Sequence, residues 1–233
     1  MHSSPPRPGK PADMTTLYLT GFGPFGEVKS NPTSEILEFL RCGGPLTSEC
    51  VKERIDILDV STTAIDEYFE DKHLASNNIS VHLGVNSKAT KFALESTAYN
   101  NMDFRIPDDN GYQPEKVQIV ETNELDDPIC TNFNLEDVCA AMKEDGYQCE
   151  ISEDPGRYLC NFIYYKSLQR QETLGHSSYK RSVFIHVPPF DVIDKETQIS
   201  FVRRVLEELS RPTATNGDRF PFDCGVFCGA LNF

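Results

Sequence analysis

Thr16-Leu17-Tyr18-Leu19-Thr20, then Gly21-Phe22-Gly23-Pro24-Phe25-Gly26, then Asn31-Pro32: a short apolar run, a glycine-rich loop and a helix start follow one another. Five apolar-rich residues bounded by a glycine turn read as a strand rather than a helix. Pro32 sits where a helix tolerates proline, in the first turn, because the N–H it lacks would be unpaired there anyway. The spacing predicts a helix from there to about Arg41. The alternation then repeats. Arg54-Ile55-Asp56-Ile57-Leu58 reads as a strand, and Ser61 caps a helix whose apolar face carries Ile65, Tyr68, Phe69 and Leu74. Ile79-Ser80-Val81-His82-Leu83-Gly84-Val85 reads as a third strand. Residues 100–124 are polar and turn-rich, irregular or a hairpin. Residues 135–145 predict a helix ended by Gly146, 147–152 and 183–187 two further strands, and 194–209 a closing helix. Strands and helices taking turns in this way predict an α/β fold, a single domain with a mostly parallel twisted sheet and helices on both faces.

At 233 residues the chain has ample length for one such core. The domain is expected over 15–210, with a disordered leader at 1–14 and a C-terminal tail of uncertain structure at 211–233. The leader holds no apolar core of the kind a secretory signal or a membrane span requires. Net charge is −14, from 36 acidic against 22 basic residues. A surface of that sign repels phosphate backbones and anionic lipid, so neither nucleic acid nor membrane is expected as a partner. Eight cysteines are compatible with disulfides, but the missing signal and the domain size point to reduced thiols and a cytoplasmic location. Cys224-x-x-x-Cys228 has metal-like spacing without a histidine or second cysteine pair near it, so no metal or other cofactor is expected.

Two residues carry chemistry. Cys160 opens a helix, Leu159-Cys160-Asn161-Phe162-Ile163-Tyr164-Tyr165, just after the turn Asp154-Pro155-Gly156-Arg157. Free amides and the positive dipole end at a helix start favour thiolate, and can bring a cysteine pKa from about 8.5 into the range of roughly 3.5–7.5. The competing reading is a buried, inert cysteine on an apolar helix. His186 closes the run Val183-Phe184-Ile185-His186-Val187, at a strand end of the sort where open α/β sheets place their sites. Together they read as a nucleophile and its base. His82, inside an apolar strand, reads as a satisfied core histidine, and His2, His73 and His176 as surface residues. A third group should orient the imidazole. Glu95, after Phe92-Ala93-Leu94, is one candidate among many carboxylates, and a solvated glutamate is the plainer reading.

The pattern Gly21-Phe22-Gly23-Pro24-Phe25-Gly26 matches the dinucleotide fingerprint letter by letter. That fingerprint needs its helix to begin within the glycines, so that the helix N-terminus meets pyrophosphate. Here Pro24 removes an N–H and the helix waits until Asn31-Pro32. Phe22 and Phe25 suit a small, flat, apolar ligand better than phosphate, or else they cap the core.

Four stretches in order resemble the pyroglutamyl-peptidase I family, cysteine peptidases that remove N-terminal 5-oxoproline from peptides. They are Leu19-Thr20-Gly21-Phe22-Gly23-Pro24-Phe25-Gly26 with Asn31-Pro32; Leu94-Glu95 leading to Phe104-Arg105-Ile106-Pro107-Asp108; Gly156-Arg157-Tyr158-Leu159-Cys160-Asn161; and Phe184-Ile185-His186-Val187-Pro188. The resemblance implies a triad of Glu95, Cys160 and His186. It also implies a ring pocket at Phe22, Phe25, Ile106, Tyr158 and Leu159, with Asn31 at a loop position and Arg105 near the catalytic centre. Peptides with an N-terminal pyroglutamate are the implied partners. Two alternatives remain: a non-catalytic member of the family that binds capped peptide ends and, on the glycine pattern alone, a dinucleotide-dependent oxidoreductase. The chain departs from the bacterial pattern at Gly84-Val85-Asn86, where those members carry glutamine after the glycine, and at Pro155, which replaces a small residue.

Overall fold

The computed structural model describes residues 16–26, 30–47, 52–70, 78–173 and 180–211. The expected leader, the expected tail beyond Arg211, and Leu74, His73, His176, Cys224 and Cys228 lie outside the described residues. In chain order the elements are β1 (Thr16–Phe22), α1 (Pro32–Cys42), β2 (Lys52–Leu58), α2 (Thr62–Glu70), β3 (Ile79–Val85), β4 (Phe92–Glu95), β5 (Thr97–Tyr99), β6 (Pro128–Cys130), α3 (Leu135–Glu144), β7 (Cys149–Ser152), α4 (Leu159–Thr173), β8 (Ser182–Val187) and α5 (Lys195–Ser210).

Six strands form one sheet in the order β2-β1-β3-β8-β4-β7, and β5 pairs with β6 in a separate ribbon. Within the sheet every pairing is parallel except that of β4 with β8. Sequence periodicity left β4, β5 and β6 unread. They are three or four residues long, too short to display an alternation. Segment 100–124 is irregular apart from a bridge between Met102 and Val117.

Side-chain parity sorts the strands into two cores. Odd-numbered residues of β3 and β8, Ile79, Val81, Leu83, Val183, Ile185 and Val187, join Ile36, Leu37, Leu40, Leu135, Val138, Phe201 and Val202 from α1, α3 and α5. Phe184, of even number, joins Ile65, Tyr68 and Phe69 of α2 and Leu159, Phe162, Ile163 and Leu168 of α4. His82, Gly84 and His186 share that second face with it. Asn31 caps α1, accepting from the Thr33 N–H at 3.0 Å, and its amide donates to Gly23 O at 3.0 Å. The glycine loop is thereby tied to the start of a helix that begins ten residues after β1 ends, not within the glycines. Four cysteines, 42, 139, 149 and 160, are free thiols. Cys130 is disulfide-bonded, so the expectation of uniformly reduced thiols does not hold there.

Candidate active site

The register of β3, β8 and β4 sets the site. Gly84 lies opposite His186 on one side of β8, and Ala93 lies opposite His186 on the other. His186 Nδ1 donates to Glu95 Oε1 at 2.7 Å, since a carboxylate can only accept. Both groups are buried, His186 with 7 % and Glu95 with 2 % of its surface exposed. The bond fixes the ring and leaves Nε2 as the nitrogen free to meet Cys160. Burial opposes a charge on the imidazole, but hydrogen bonds to Cys160 and Glu95, with the attraction of both groups, outweigh it and raise its pKa to about 10.

Cys160 is the second residue of α4 and half-buried. Its sulfur lies over β3 at the one point where the strand has no side chain. A Cβ on Gly84 would stand 3.0 Å from the Cys160 sulfur and 2.6 Å from Phe184 Cζ. Gly84 is therefore part of the site, which sequence reading treated only as a matter of loop shape.

Neighbouring polar residues lock the start of α4. Asn161, fully buried, accepts from the Tyr99 N–H at 2.8 Å and donates to the carbonyls of Tyr99 and Asn101 at 2.8 and 2.9 Å. Tyr164 donates to the backbone carbonyl of Glu95 at 2.8 Å, which pins the end of β4. Arg157 bridges Asp126 and Asp154 at 3.0 and 2.6 Å and lies over the Tyr99 ring. None of these roles is visible in periodicity. The available signal was polar side chains at buried helical positions beside Cys160.

A cavity of about 560 Å³ opens beside the three side chains, within the range of small-molecule clefts. Glu95, Cys160 and His186 line it with Arg105, Tyr158 and loop 86–91. The remaining residues expected at the site do not line it. Phe22 is buried in the second core, where Leu159 also packs. Phe25, half-buried, faces Tyr158 with ring centres 6.2 Å apart, and Phe104 meets Tyr158 at 4.7 Å. Ile106 is exposed on the following segment, and Asn31 serves as the α1 cap. That segment is held by Asp108, whose carboxylate accepts from the Thr62 N–H and hydroxyl at 2.9 and 3.0 Å. His82 bonds Thr20 Oγ1 at 2.7 Å beneath Phe184, away from the cavity. Among the described residues no group of three or more His, Cys, Asp or Glu side chains is arranged to hold a metal ion. None of the described helices is long and apolar enough to cross a membrane.

A thiol beside an imidazole that a buried carboxylate orients is an arrangement suited to acyl transfer through a thioester. Comparison with known proteins agrees with it. The pyroglutamyl peptidase family profile matches residues 15–206. The pyrrolidone-carboxylate peptidase of Thermococcus litoralis is 30 % identical over 188 residues, covering 78 % of this chain and 81 % of the relative. That of Pyrococcus furiosus is 31 % identical over 183 residues, 77 % and 84 % of the two chains. The solved pyrrolidone carboxyl peptidase of Thermus thermophilus superposes with a TM-score of 0.70 at 29 % identity, covering 82 % of this chain and 99 % of that one. The enzyme from Fervidobacterium islandicum gives 0.72 at 27 %, covering 84 % and 98 %. With a profile match across most of its length and relatives of this similarity, the chain belongs to the pyroglutamyl peptidase family.

Proposed function

We propose that this protein hydrolyses the bond after an N-terminal 5-oxoproline, with Cys160 as nucleophile, His186 as general base and then acid, and Glu95 as the group that orients the ring. The Cys160 proton passes to His186, whose ring Glu95 and Cys160 together hold charged before substrate arrives, and the thiolate attacks the carbonyl joining 5-oxoproline to the next residue. Backbone N–H groups at the start of α4, that of Cys160 included, face the developing oxyanion. The first amides of a helix lack partners within it and are free for this use. Losing one such donor typically costs about 2.7–4 kcal/mol of transition-state stabilisation. The tetrahedral intermediate collapses as His186 protonates the leaving amine. Water, with His186 again as base, then hydrolyses the thioester and releases 5-oxoproline. The chemistry draws on side chains and backbone alone.

A pyroglutamyl cap is a flat lactam without an ammonium, so recognition needs aromatic surface and a few backbone groups rather than a carboxylate. Phe25, Tyr158 and Ile106 are assigned to the ring, with Phe22 and Leu159 forming the floor behind them. Asn31 holds the glycine loop in place, and Arg105 stands at the cavity edge. The substrates are peptides so capped. The observation that carries the reading is the Glu95–His186 bond at 2.7 Å beside Cys160, within a family of this activity.

The test is turnover of a fluorogenic pyroglutamyl amide, followed during titration with a stoichiometric thiol alkylator. Mass spectrometry should find one early adduct on Cys160 that tracks loss of rate. Tight binding of the amide with no turnover would instead identify a non-catalytic member of the family.

A further inference from the structure

The cavity beside Cys160 has two unlike sides. At Tyr158, whose ring packs against Phe25 and Phe104, it is aromatic. Along loop 86–91 it is polar. A ring seated on the aromatic side directs the leaving peptide into the polar one, because the scissile carbonyl lies between them. This step rests on the function proposed above.

Loop 86–91 joins β3 to β4, and β8 lies between those strands, so the loop must cross the end of β8 where His186 sits. Its conformation is fixed by hydrogen bonds. The Asn86 N–H bonds Val187 O at 3.0 Å, and the Ala89 N–H bonds Asn86 O at 3.0 Å. The Asn86 side chain accepts from the Lys88 N–H at 3.0 Å. Lys88 is thus held on the loop that roofs the strand bearing the base.

The charged side chains around the cavity are unevenly paired. Lys91 meets Glu150 at 2.5 Å, Asp154 meets Arg157 at 2.6 Å, and Glu95 is taken by His186. Among the described residues neither Lys88 nor Arg105 has a carboxylate partner, although both line the cavity. The whole chain carries −14, which disfavours approach of an anion. Lys88 and Arg105 are therefore left to meet an anion that enters the cavity.

We propose that Lys88, with Arg105, gives the site a preference for pyroglutamyl substrates that carry a carboxylate directly after the scissile bond. That carboxylate is either the free C-terminus of a short peptide or an acidic side chain on the first leaving residue. Lys88 is exposed, so the gain is that of a surface ion pair, about threefold to fivefold in kcat/KM.

The experiment measures kcat/KM of the full chain for pyroglutamyl-alanine, pyroglutamyl-alaninamide and pyroglutamyl-glutamic acid amide in parallel. Wild type should favour one or both carboxylate substrates over the neutral amide by about threefold to fivefold, in KM rather than kcat. A preference for pyroglutamyl-alanine identifies the terminal carboxylate, and one for the glutamyl amide identifies the side chain. Lys88→Gln should bring the ratio towards one, Lys88→Arg should keep it, and about 1 M salt should erase it by shortening screening to about 3 Å. Equal rates on all three substrates, or a preference that survives in Lys88→Gln, would overturn this inference alone. No turnover of any of the three would overturn the peptidase reading and this inference with it.

Discussion

Gly84→Ala is the most discriminating single change, because its consequence follows from three distances. The added methyl group would stand 2.6 and 2.9 Å from two Phe184 ring atoms and 3.0 Å from the Cys160 sulfur. Phe184 has no room to retreat, being fully buried with its ring centre 4.8 Å from that of His186 and 6.2 Å from that of Tyr164. Overpacking of this kind costs about 1–3 kcal/mol. For a domain of this size each kcal/mol lowers the melting midpoint by about 2–4 °C, so a fall of roughly 2–12 °C is expected in a thermal melt. The rate should suffer more than the fold. Displacing a reacting atom by about 1 Å costs on the order of a hundredfold, and both the sulfur and the His186 ring are pushed. The assay is kcat/KM on a pyroglutamyl amide at a temperature where the variant is fully folded. If the variant melts and turns over like wild type, the sulfur does not rest against β3 and the site geometry is wrong.

Cys160→Ala should abolish turnover while leaving the melting midpoint within about 2 °C, because the side chain is small and half-buried; a residual rate near wild type would refute the nucleophile assignment. The imidazolium of His186 is held by Glu95 and Cys160 up to a pKa of about 10, so kcat/KM should fall as pH rises through that value and the ring loses the proton it gives to the leaving amine. In Glu95→Gln activity should persist in part, with that alkaline limb moved to lower pH; an unmoved limb would show that the carboxylate does not act on the ring. His82 is pushed by burial to about 3, while the unfolded chain takes up its proton near 6.5. Its contribution is therefore full above about pH 6.5 and is lost as pH falls towards 3, with a slope approaching about 1.4 kcal/mol per pH unit. Urea melts between pH 6.5 and 5 should show this slope, and His82→Gln should flatten it; equal slopes would mean that His82 is protonated in the fold.

Motifs confined to a few adjacent residues were legible because their chemistry is local. Asn31-Pro32 predicted a helix start, and Asn31 caps α1. Ser61 was read as a cap, and its hydroxyl accepts from the Ala64 N–H at 3.1 Å. The apolar runs at 79–85 and 183–187 gave two central strands. The antiparallel strand β4 was not legible, since Phe92-Ala93-Leu94-Glu95 is a four-residue segment whose partner lies some ninety residues away. For the same reason the residues alone offer Glu95 only as a candidate that follows an apolar stretch, and the resemblance is what selects it among the carboxylates. Asn161 and Tyr164 read in sequence only as parts of a helix, because their partners Tyr99, Asn101 and Glu95 are sixty or more residues upstream. Phe22 and Phe25 were read as one pair, and burial separates them. Phe22, the last residue of β1, packs in the core, whereas Phe25, beyond the strand, faces Tyr158.

Direction of the strands explains how a glutamate at position 95 reaches the imidazole. In the β4–β8 pairing Glu95 lies opposite Phe184 and Ala93 lies opposite His186, so Glu95 reaches its imidazole as a diagonal neighbour on the same face. Diagonal neighbours in an antiparallel pair are about 7–8 Å apart, within reach of long side chains only. An aspartate is one methylene shorter and would leave the ring unheld, whereas the 2.7 Å bond observed uses the full length of the glutamate. The small residue directly opposite His186 is equally necessary, because a larger side chain at Ala93 would occupy the path of that diagonal. On the other flank Gly84 clears the ground for the sulfur. His186 is thus bracketed by the two smallest residue types, and each opening admits one reactive group: carboxylate from β4, thiol from α4. A slip of one residue in either pairing would turn Glu95 or Gly84 to the opposite face of the sheet. Register, rather than proximity in sequence, assembles the site.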